Sequence, residues 1–351
     1  MTLQSSGTIR WSEIRDEFGA NINGVEVSLG RYRNSDSNFG NKNVGTLTNL
    51  PLDIGVPTSG TISASSFYSK KLNMVLDMYS GGTEFRVNCR TRYNDSSKVK
   101  VVGNYRSRPS NTSGKRVIVN INKTFGSEAY THITTCAVKT DDWNPTTDLD
   151  LEIGSNGKIY GAGGDGGDGG SANGTAGSDG KSGSTALGVQ YPCSINNLGR
   201  IQSGYGGGGG GGGRREYRRS GKKSGRWVGS SGGGGGGGAG VQNSPGWWSS
   251  NGGDSPQNAY GGGSNGSDGG NGVDVTSGNG GGGGASAGAG GDGAAVNNSS
   301  TTGNTGGSAG GGGGAGGANG YAIITTNATT DYTISGSGNV VGRQKVNVIV
   351  Y

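Results

Sequence analysis

The chain has 351 residues, 82 of them glycine, and a formal charge of +6 from 30 Lys and Arg against 24 Asp and Glu. Its length predicts two or three domains. A single histidine, His132, leaves no second ligand or base for histidine-centred zinc or acid–base chemistry.

With no Walker loop and no nucleophile elbow either, the chain does not read as an enzyme: no catalytic residue, metal or cofactor is expected. Cys89, Cys136 and Cys193 lie far apart without metal-ligand spacing, which argues against a disulfide framework. The start, MTLQSSGTIRW, lacks the basic residues and apolar run of a secretory signal, and no stretch is long enough to span a membrane. Glycine is unevenly placed. Thirteen glycines precede residue 154, three follow residue 320, and the remaining 66 lie between.

In chain order, residues 1–80 predict a small N-terminal attachment or docking module built on an internal repeat. SGTIRWSEI (6–14) aligns with SGTISASSF (59–67), each reading as a strand end that turns into a short helix capped by Ser12 or Ser65. Ile9, Trp11, Ile14, Phe18, Ile62 and Phe67 are its candidate virion-attachment residues, although two ordinary capped helices fit the same pattern.

Residues 81–153 predict an antiparallel β domain with one wet face. FRVNCRTRY (85–93) alternates, with Phe85, Val87, Cys89, Thr91 and Tyr93 on one face and Arg86, Asn88, Arg90 and Arg92 on the other, so Cys89 reads as a buried thiol. KRVIVNI turns Val117, Val119 and Ile121 inward. TDLDLEI does the same with Leu149, Leu151 and Ile153, and leaves Asp148, Asp150 and Glu152 outside. The C-terminal part, 321–351, ends in KVNVIVY and reads as strands packing back on that domain.

Residues 154–320 are the glycine-rich part. From Ala162 to Ser171 every third residue is not glycine, and the phase then slips so that Gly174, Gly177, Gly180 and Gly183 carry the beat. Collagen would need an unbroken triplet and far more than seven prolines. A calcium-binding nonapeptide would need an aliphatic residue after Asp165 or Asp168. The expectation is a bundle of packed polyglycine-II helices, bonded laterally because such helices lack internal hydrogen bonds. The fold class expected is therefore mainly β plus irregular: N-terminal module, antiparallel β domain, and polyglycine-II bundle with long connecting loops.

Two phrases between the glycine runs read as binding loops. RREYRRSGKKSGRW concentrates Arg214, Arg215, Arg218, Arg219, Lys222, Lys223 and Arg226, with Tyr217 and Trp227, against Glu216 alone. Such a cluster attracts phosphates, acidic sugars or nucleic acid. VQNSPGWWSSNGGDSPQNAY sets Trp247, Trp248 and Tyr260 among small polar residues, as a paratope does.

VIVNINKTFGSEAYTHITTCAVKTDDW, then LEIGSNGKIYGAGGDGGDGG, then CSINNLGRIQSGYGGGGGGGG, together within about 115–320, are similar to the receptor-binding adhesins at the long-tail-fibre tip of T-even-type bacteriophages. That resemblance implies stacked polyglycine helices and receptor-facing loops at 214–228, 241–260 and 296–305. It also implies a host surface receptor, either an outer-membrane protein or a lipopolysaccharide glycan, and partners among phage tail fibre or baseplate proteins. The protein would be made in the host cytoplasm and sit in the virion at a tail fibre tip or baseplate, without membrane insertion.

The first 80 residues lack those adhesins' tryptophan-rich attachment region. Instead SGTIRWSEIRDEFG and ISASSFYSKK resemble segments at the start of various phage virion proteins. Two other functions stay open: a passive structural tail-fibre or baseplate component, and a glycine-rich nucleic-acid-binding protein. The second fits less well, because its basic residues should be spread through the glycine region.

Overall fold

The computed structural model describes residues 3–19, 28–32, 42–44, 47–50, 56–57, 59–78, 84–101, 107–127, 133–170, 175–210, 214–218, 226–230, 305–310, 314–326 and 332–345. After helix α1 (Trp11–Phe18) and a two-stranded antiparallel ladder, β1 (Lys42–Val44) with β2 (Leu47–Leu50), the chain enters a repeating path. Its first turn is β3 (Asn73–Asp77), β4 (Glu84–Phe85) and β5 (Val87–Asn88), followed by α2 (Cys89–Asn94) and β6 (Val99–Val101). The second is β7 (Arg116–Ile121), β8 (Thr124–Gly126) and β9 (Cys136–Lys139). The third is β10 (Asp148–Ile153), β11 (Lys158–Tyr160) and β12 (Thr185–Val189).

The fourth turn starts with β13 (Cys193–Asn197) and β14 (Arg200–Gln202). It is interrupted by β15 (Arg214–Arg218), β16 (Arg226–Ser230) and β17 (Thr305–Gly310), and is completed by β18 (Tyr321–Thr325). The fifth is β19 (Tyr332–Ser335), β20 (Asn339–Val341) and β21 (Arg343–Lys345).

Each turn contributes one strand to each of three sheets, ordered β19-β13-β10-β7-β3-β6, β20-β14-β11-β8-β4 and β21-β18-β12-β9-β5. Pairing between successive turns is parallel throughout, as in β3 with β7, β7 with β10 and β10 with β13. Within these three sheets, among the described residues, only β6 runs antiparallel, on the outer edge of β3. The result is a three-sided coil whose strands stack in register.

Like residues stack into columns that form the core. Leu76, Val119, Leu151 and Ile195 align in the first sheet, Phe125, Ile159 and Ile201 in the second, and Val138, Leu187 and Ile323 in the third. All are fully buried. At about 25 cal/mol per Å² of apolar area removed from water, these columns are the main favourable term. They end at the fifth turn, where Ile334 is 39% exposed.

The expected fold class is corrected here. The sheets that hold the predicted strands are parallel, not antiparallel. The helices among the described residues are α1, α2 and three 3-10 turns, and no bundle of polyglycine-II helices forms a separate body. Alternation of period two signals one wet face, which a sheet in a coil shares with an antiparallel sheet. The expectation for β7 and β10 is therefore right about the buried residues and wrong about direction, since both strands pair parallel. In β10, Leu149, Leu151 and Ile153 are buried while Asp148, Asp150 and Glu152 are partly exposed.

The stretch 85–93 is not one strand. Arg86 sits at φ 49° between β4 and β5, its N–H bonded to the Gly126 carbonyl at 3.0 Å, and turns the chain from the second sheet into the third. Phe85 is left 40% exposed. The Asn88 side chain then caps α2 by accepting the Thr91 N–H at 3.0 Å. Cys89 is buried, as expected, but within a helix. Burial raises the thiol pKa of Cys89 and Cys136, and pushes that of Cys193 up to about 12 with help from Asp150.

The N-terminal repeat packs onto the first turn. The helices are capped two residues earlier than expected, at Arg10 and Ser63 rather than Ser12 and Ser65. The Glu13 carboxylate accepts the Arg10 N–H at 2.6 Å, and Ser66 Oγ accepts the Ser63 N–H at 3.3 Å. Tyr32 meets Phe18 and Phe67 edge to face, and the two phenylalanines meet at a tilt, with centroids 5.7–6.2 Å apart. Burial raises the Tyr32 hydroxyl to about 12, against the opposing effect of Arg15.

Glu17 fastens this module to the coil. Its carboxylate accepts the Leu72 N–H at 2.7 Å and pairs with Lys115, just before β7, both side chains being over nine-tenths buried. Removing one partner strands the other charge. Glu17→Ala is expected to lose about 3–5 kcal/mol in chemical denaturation, whereas Glu17→Ala with Lys115→Met should recover much of it.

On the outer face of the first sheet, Asp148 bonds Lys71 at 2.8 Å and Arg116 at 3.0 Å, and Asp150 reaches Arg116 at 3.3 Å. Burial alone would raise the Asp148 carboxyl, but Lys71 and Arg116 hold it below the usual range. Burial raises Asp150, with Asp148 adding to it, and burial raises Glu152. For the raised pair the native state holds protons more tightly, so stability is gained as pH falls toward the unfolded values near about 4. Asp148 works oppositely: its contribution is present above about pH 4 and lost as pH falls through its lowered value. Asp150→Asn is therefore expected to raise the neutral-pH melting temperature and flatten its rise on mild acidification, read by thermal denaturation across pH.

Candidate functional site

The coil's second and third sheets meet at a corner where the connection changes length from turn to turn. It is the single residue Arg86 in the first turn and Gly342 in the fifth, but 161–184 in the third and 203–320 in the fourth. The described glycine segments are the near ends of these two excursions.

Four lengths lie side by side: 161–168, 178–184, 204–210 and 314–320. Every third residue donates an N–H to a neighbour. Gly161, Gly164 and Gly167 bond the carbonyls of Gln202, Tyr205 and Gly208, and Gly204, Gly207 and Gly210 bond Ser184, Lys181 and Ser178. Gly314, Gly317 and Gly320 bond Gly210, Gly207 and Gly204. Ser178, Lys181 and Ser184 bond Asp168, Asp165 and Ala162, and all of these bonds are 2.7–2.9 Å long. Extended chain has no internal partners, so these lateral bonds satisfy its backbone.

The spacing leaves no room for side chains. A Cβ on Gly204 would stand 1.7 Å from the Ala162 carbonyl oxygen, and one on Gly207 would stand 1.9 Å from that of Asp165. Between the bare positions, Asp168 is exposed, and Lys181 reaches the Asp165 carboxylate at 3.1 Å.

Beyond this slab lies the second element. β15 begins at Arg214 and β17 ends at Gly310, a few residues past the outer ends of 204–210 and 314–320, and the two pair antiparallel with Arg214 opposite Gly310. β16 pairs on the other side of β15, placing Arg215 opposite Gly229, Tyr217 opposite Trp227 and Arg218 opposite Arg226. In chain order 204–210 and 314–320 thus flank a three-stranded ladder ordered β16-β15-β17.

Of the predicted receptor-binding residues, this ladder brings together Arg214, Arg215, Tyr217, Arg218, Arg226 and Trp227. Arg219, Lys222, Lys223, Trp247, Trp248 and Tyr260 lie outside the described residues, as do His132 and the glycine runs 232–238 and 280–284. Sequence reasoning missed β17: TGGSAG has none of the β-branched or aromatic residues that mark a strand.

The predicted attachment residues go elsewhere. Ile9, Ile14, Phe18 and Phe67 are buried in the core, Ile62 is partly buried against it, and Trp11 is 37% exposed with its ring edge-on to Tyr32 at 5.5 Å. Among the described residues no group of three or more His, Cys, Asp or Glu could hold a metal, and no helix is long and apolar enough to cross a membrane.

The candidate site thus consists of a coil corner, a slab joined by backbone hydrogen bonds, and a ladder of three short strands whose sequence is rich in arginine. The chain belongs to the phage tail fibre adhesin Gp38 family, whose model matches residues 84–346. It is accordingly a bacteriophage adhesin and a component of the virion, and its family is not one of enzymes. Among solved structures it is similar to the gp37-gp38 adhesin tip complex of the bacteriophage S16 long tail fibre. Identity is 22%, with 82% of this chain and 88% of that chain covered and a TM-score of 0.35. No curated protein matches it.

Proposed function

We propose that the chain attaches the particle to its host through the segments 214–228, 241–260 and 296–305, which contact an outer-membrane protein or a lipopolysaccharide glycan. The observation that carries this reading is the slab. Two chain excursions of very different length share one set of lateral hydrogen bonds, and the longer one continues into the ladder that holds Arg214, Tyr217 and Trp227. A rigid support lowers the ordering cost of binding. Several modest contacts repeated over copies on one particle add up by avidity.

The same reading assigns the mount to the N-terminal module. Residues 1–80 would join a tail fibre or baseplate protein, with Trp11 the exposed aromatic and Ile9, Ile14, Phe18, Ile62 and Phe67 shaping the surface from within. Two measurements test the pair of assignments. Purified chain added to host cells should block phage adsorption in a saturable way, and Trp11→Ala should lower its incorporation into particles. A chain that binds no host cells would refute the first assignment, and full incorporation of Trp11→Ala the second.

A further inference from the structure

The two ends of the coil are finished differently. At the first turn, β6 lies along the outer edge of β3, and the N-terminal module is fastened there through Glu17 and Lys115. At the fifth turn, β19, β20 and β21 are the last strands of the three sheets, and among the described residues no strand lies beyond them. The apolar columns run out onto this end. Ile334 continues the column of Ile195, and Val340 continues that of Ile201. The inner pair is fully buried, whereas Ile334 is 39% exposed and Val340 is partly buried.

This end is also held in place. The Gly338 and Asn339 N–H groups bond the Asn197 and Gly199 carbonyls at 2.7 and 3.0 Å, and the Ser203 N–H bonds the Val341 carbonyl at 3.0 Å. The Tyr332 hydroxyl donates to Gln344 Oε1 at 2.5 Å and ties the first strand of the turn to the third. Exposed strand edges are usually blunted by charge, proline or a bulge. β21 has two of these, since Arg343 and Lys345 are exposed and its register with β18 shifts beside Tyr321. β19 and β20 have none: they contain no charge and no proline, and they pair with β13 and β14 without a shift. A fixed, unguarded edge is a template for strand addition.

A second copy of this chain does not fit that edge. Two fifth turns set face to face would bring together Arg343 and Lys345 of both copies, with no acid among residues 332–345 to offset them. A fifth turn set on a first turn would meet β6 on the first-sheet edge. The charge selects a different partner, one whose strand carries Asp or Glu. Pairing in register along two sheets suits a permanent neighbour in the particle, since obligate interfaces are the large and apolar ones. We infer that the outer edges of β19 and β20 take a strand of another virion protein, which covers Ile334 and Val340 and sets a carboxylate against Arg343. Arg343 follows β20 by two residues and donates to the Asn319 carbonyl at 2.6 Å, with its guanidinium 4.9 Å from the Tyr321 ring centre. The contact lies at the end of the coil away from the N-terminal module and goes beyond the mount assigned there.

Amide hydrogen exchange of the full chain, free in solution and on purified particles before host contact, tests the inference. Peptides covering 332–341 should exchange at least about tenfold more slowly on particles, while those covering β10 behave alike in both. Ile334→Lys and Arg343→Glu should each lower the copies per particle at least about tenfold, with the free chain melting within about 2 °C of wild type, and Arg343→Lys should stay within about threefold.

Equal exchange of 332–341 in the free chain and on particles would overturn the inference, as would full incorporation of both Ile334→Lys and Arg343→Glu. Slowing that appears only after host cells are added would give the edge to a host molecule, and slowing in the free chain that grows with its concentration would give it to a second copy. Either result overturns the inference as well. Trp11→Ala acts at the other end of the coil and should leave 332–341 slow in every copy that is incorporated, so the two surfaces are read separately.

Discussion

Gly207→Ala is expected to unfold the slab while the coil stays folded. The added Cβ would meet the Asp165 carbonyl oxygen at 1.9 Å and its carbon at 2.4 Å, and both are backbone atoms held by their own lateral bonds. Nothing flexible lies in the way to yield. Gly207 also donates to Lys181 and accepts through its carbonyl from Gly317, so a shift of this one residue breaks contacts to three neighbouring lengths. Overpacking in an ordinary core costs about 1–3 kcal/mol, and a lost buried hydrogen bond adds about 1–3 kcal/mol each.

The expected signature is local. Amide hydrogen exchange should accelerate across 178–184, 204–210 and 314–320 while the columns through Val119, Leu151 and Ile195 keep their protection. Asp168→Ala, in the same slab but exposed, should change neither. Equal protection in Gly207→Ala and wild type would contradict the packing described.

Trp247→Ala combined with Trp248→Ala is expected to reduce adsorption by at least a hundredfold without reducing particle yield. Binding surfaces concentrate their energy in a few aromatic anchors, and truncating each commonly costs about 2 kcal/mol or more. The two tryptophans sit among Ser, Asn, Gly and Pro, with no apolar run around them to suggest a core. Their effect should be additive with Trp227→Ala if the segments contact separate parts of the receptor. Plaque-forming particles that adsorb normally with both tryptophans removed would take this segment out of the binding account.

What could be read in advance follows from how local each feature is. Residues 148–153 were legible because three apolar and three acidic residues alternate without exception, and the buried face came out as expected. The direction of pairing was not legible, because alternation is identical in parallel and antiparallel sheets. Residues 85–93 misled for a local reason. Arg86 adopts a positive φ that few non-glycine residues take, and a helix starts three residues later under an Asn88 cap.

The glycine spacing announced that side chains were excluded at intervals of three. It could not announce that the excluded positions face other parts of a coil corner, from Gly167 against Ser178 to Gly314 against that same Ser178. In the N-terminal module, Ile14, Phe18 and Phe67 were apolar at helical spacing, which is the same signal for a docking face as for a core, and they turned out buried. Strand β17 left no trace in composition at all. It pairs because Arg214–Arg218 presents it with an edge, a non-local cause no window of sequence contains.

The central claim is that the slab's far end, and not the coil, touches the host. Site-specific photo-crosslinking on intact particles tests it most directly, with the reactive residue placed at Trp227 in one preparation and at Ile334, exposed on the fifth turn, in another. After adsorption and illumination, a crosslink to a host surface molecule is predicted from position 227 and none from position 334. A host crosslink from position 334 with none from position 227 would contradict the account.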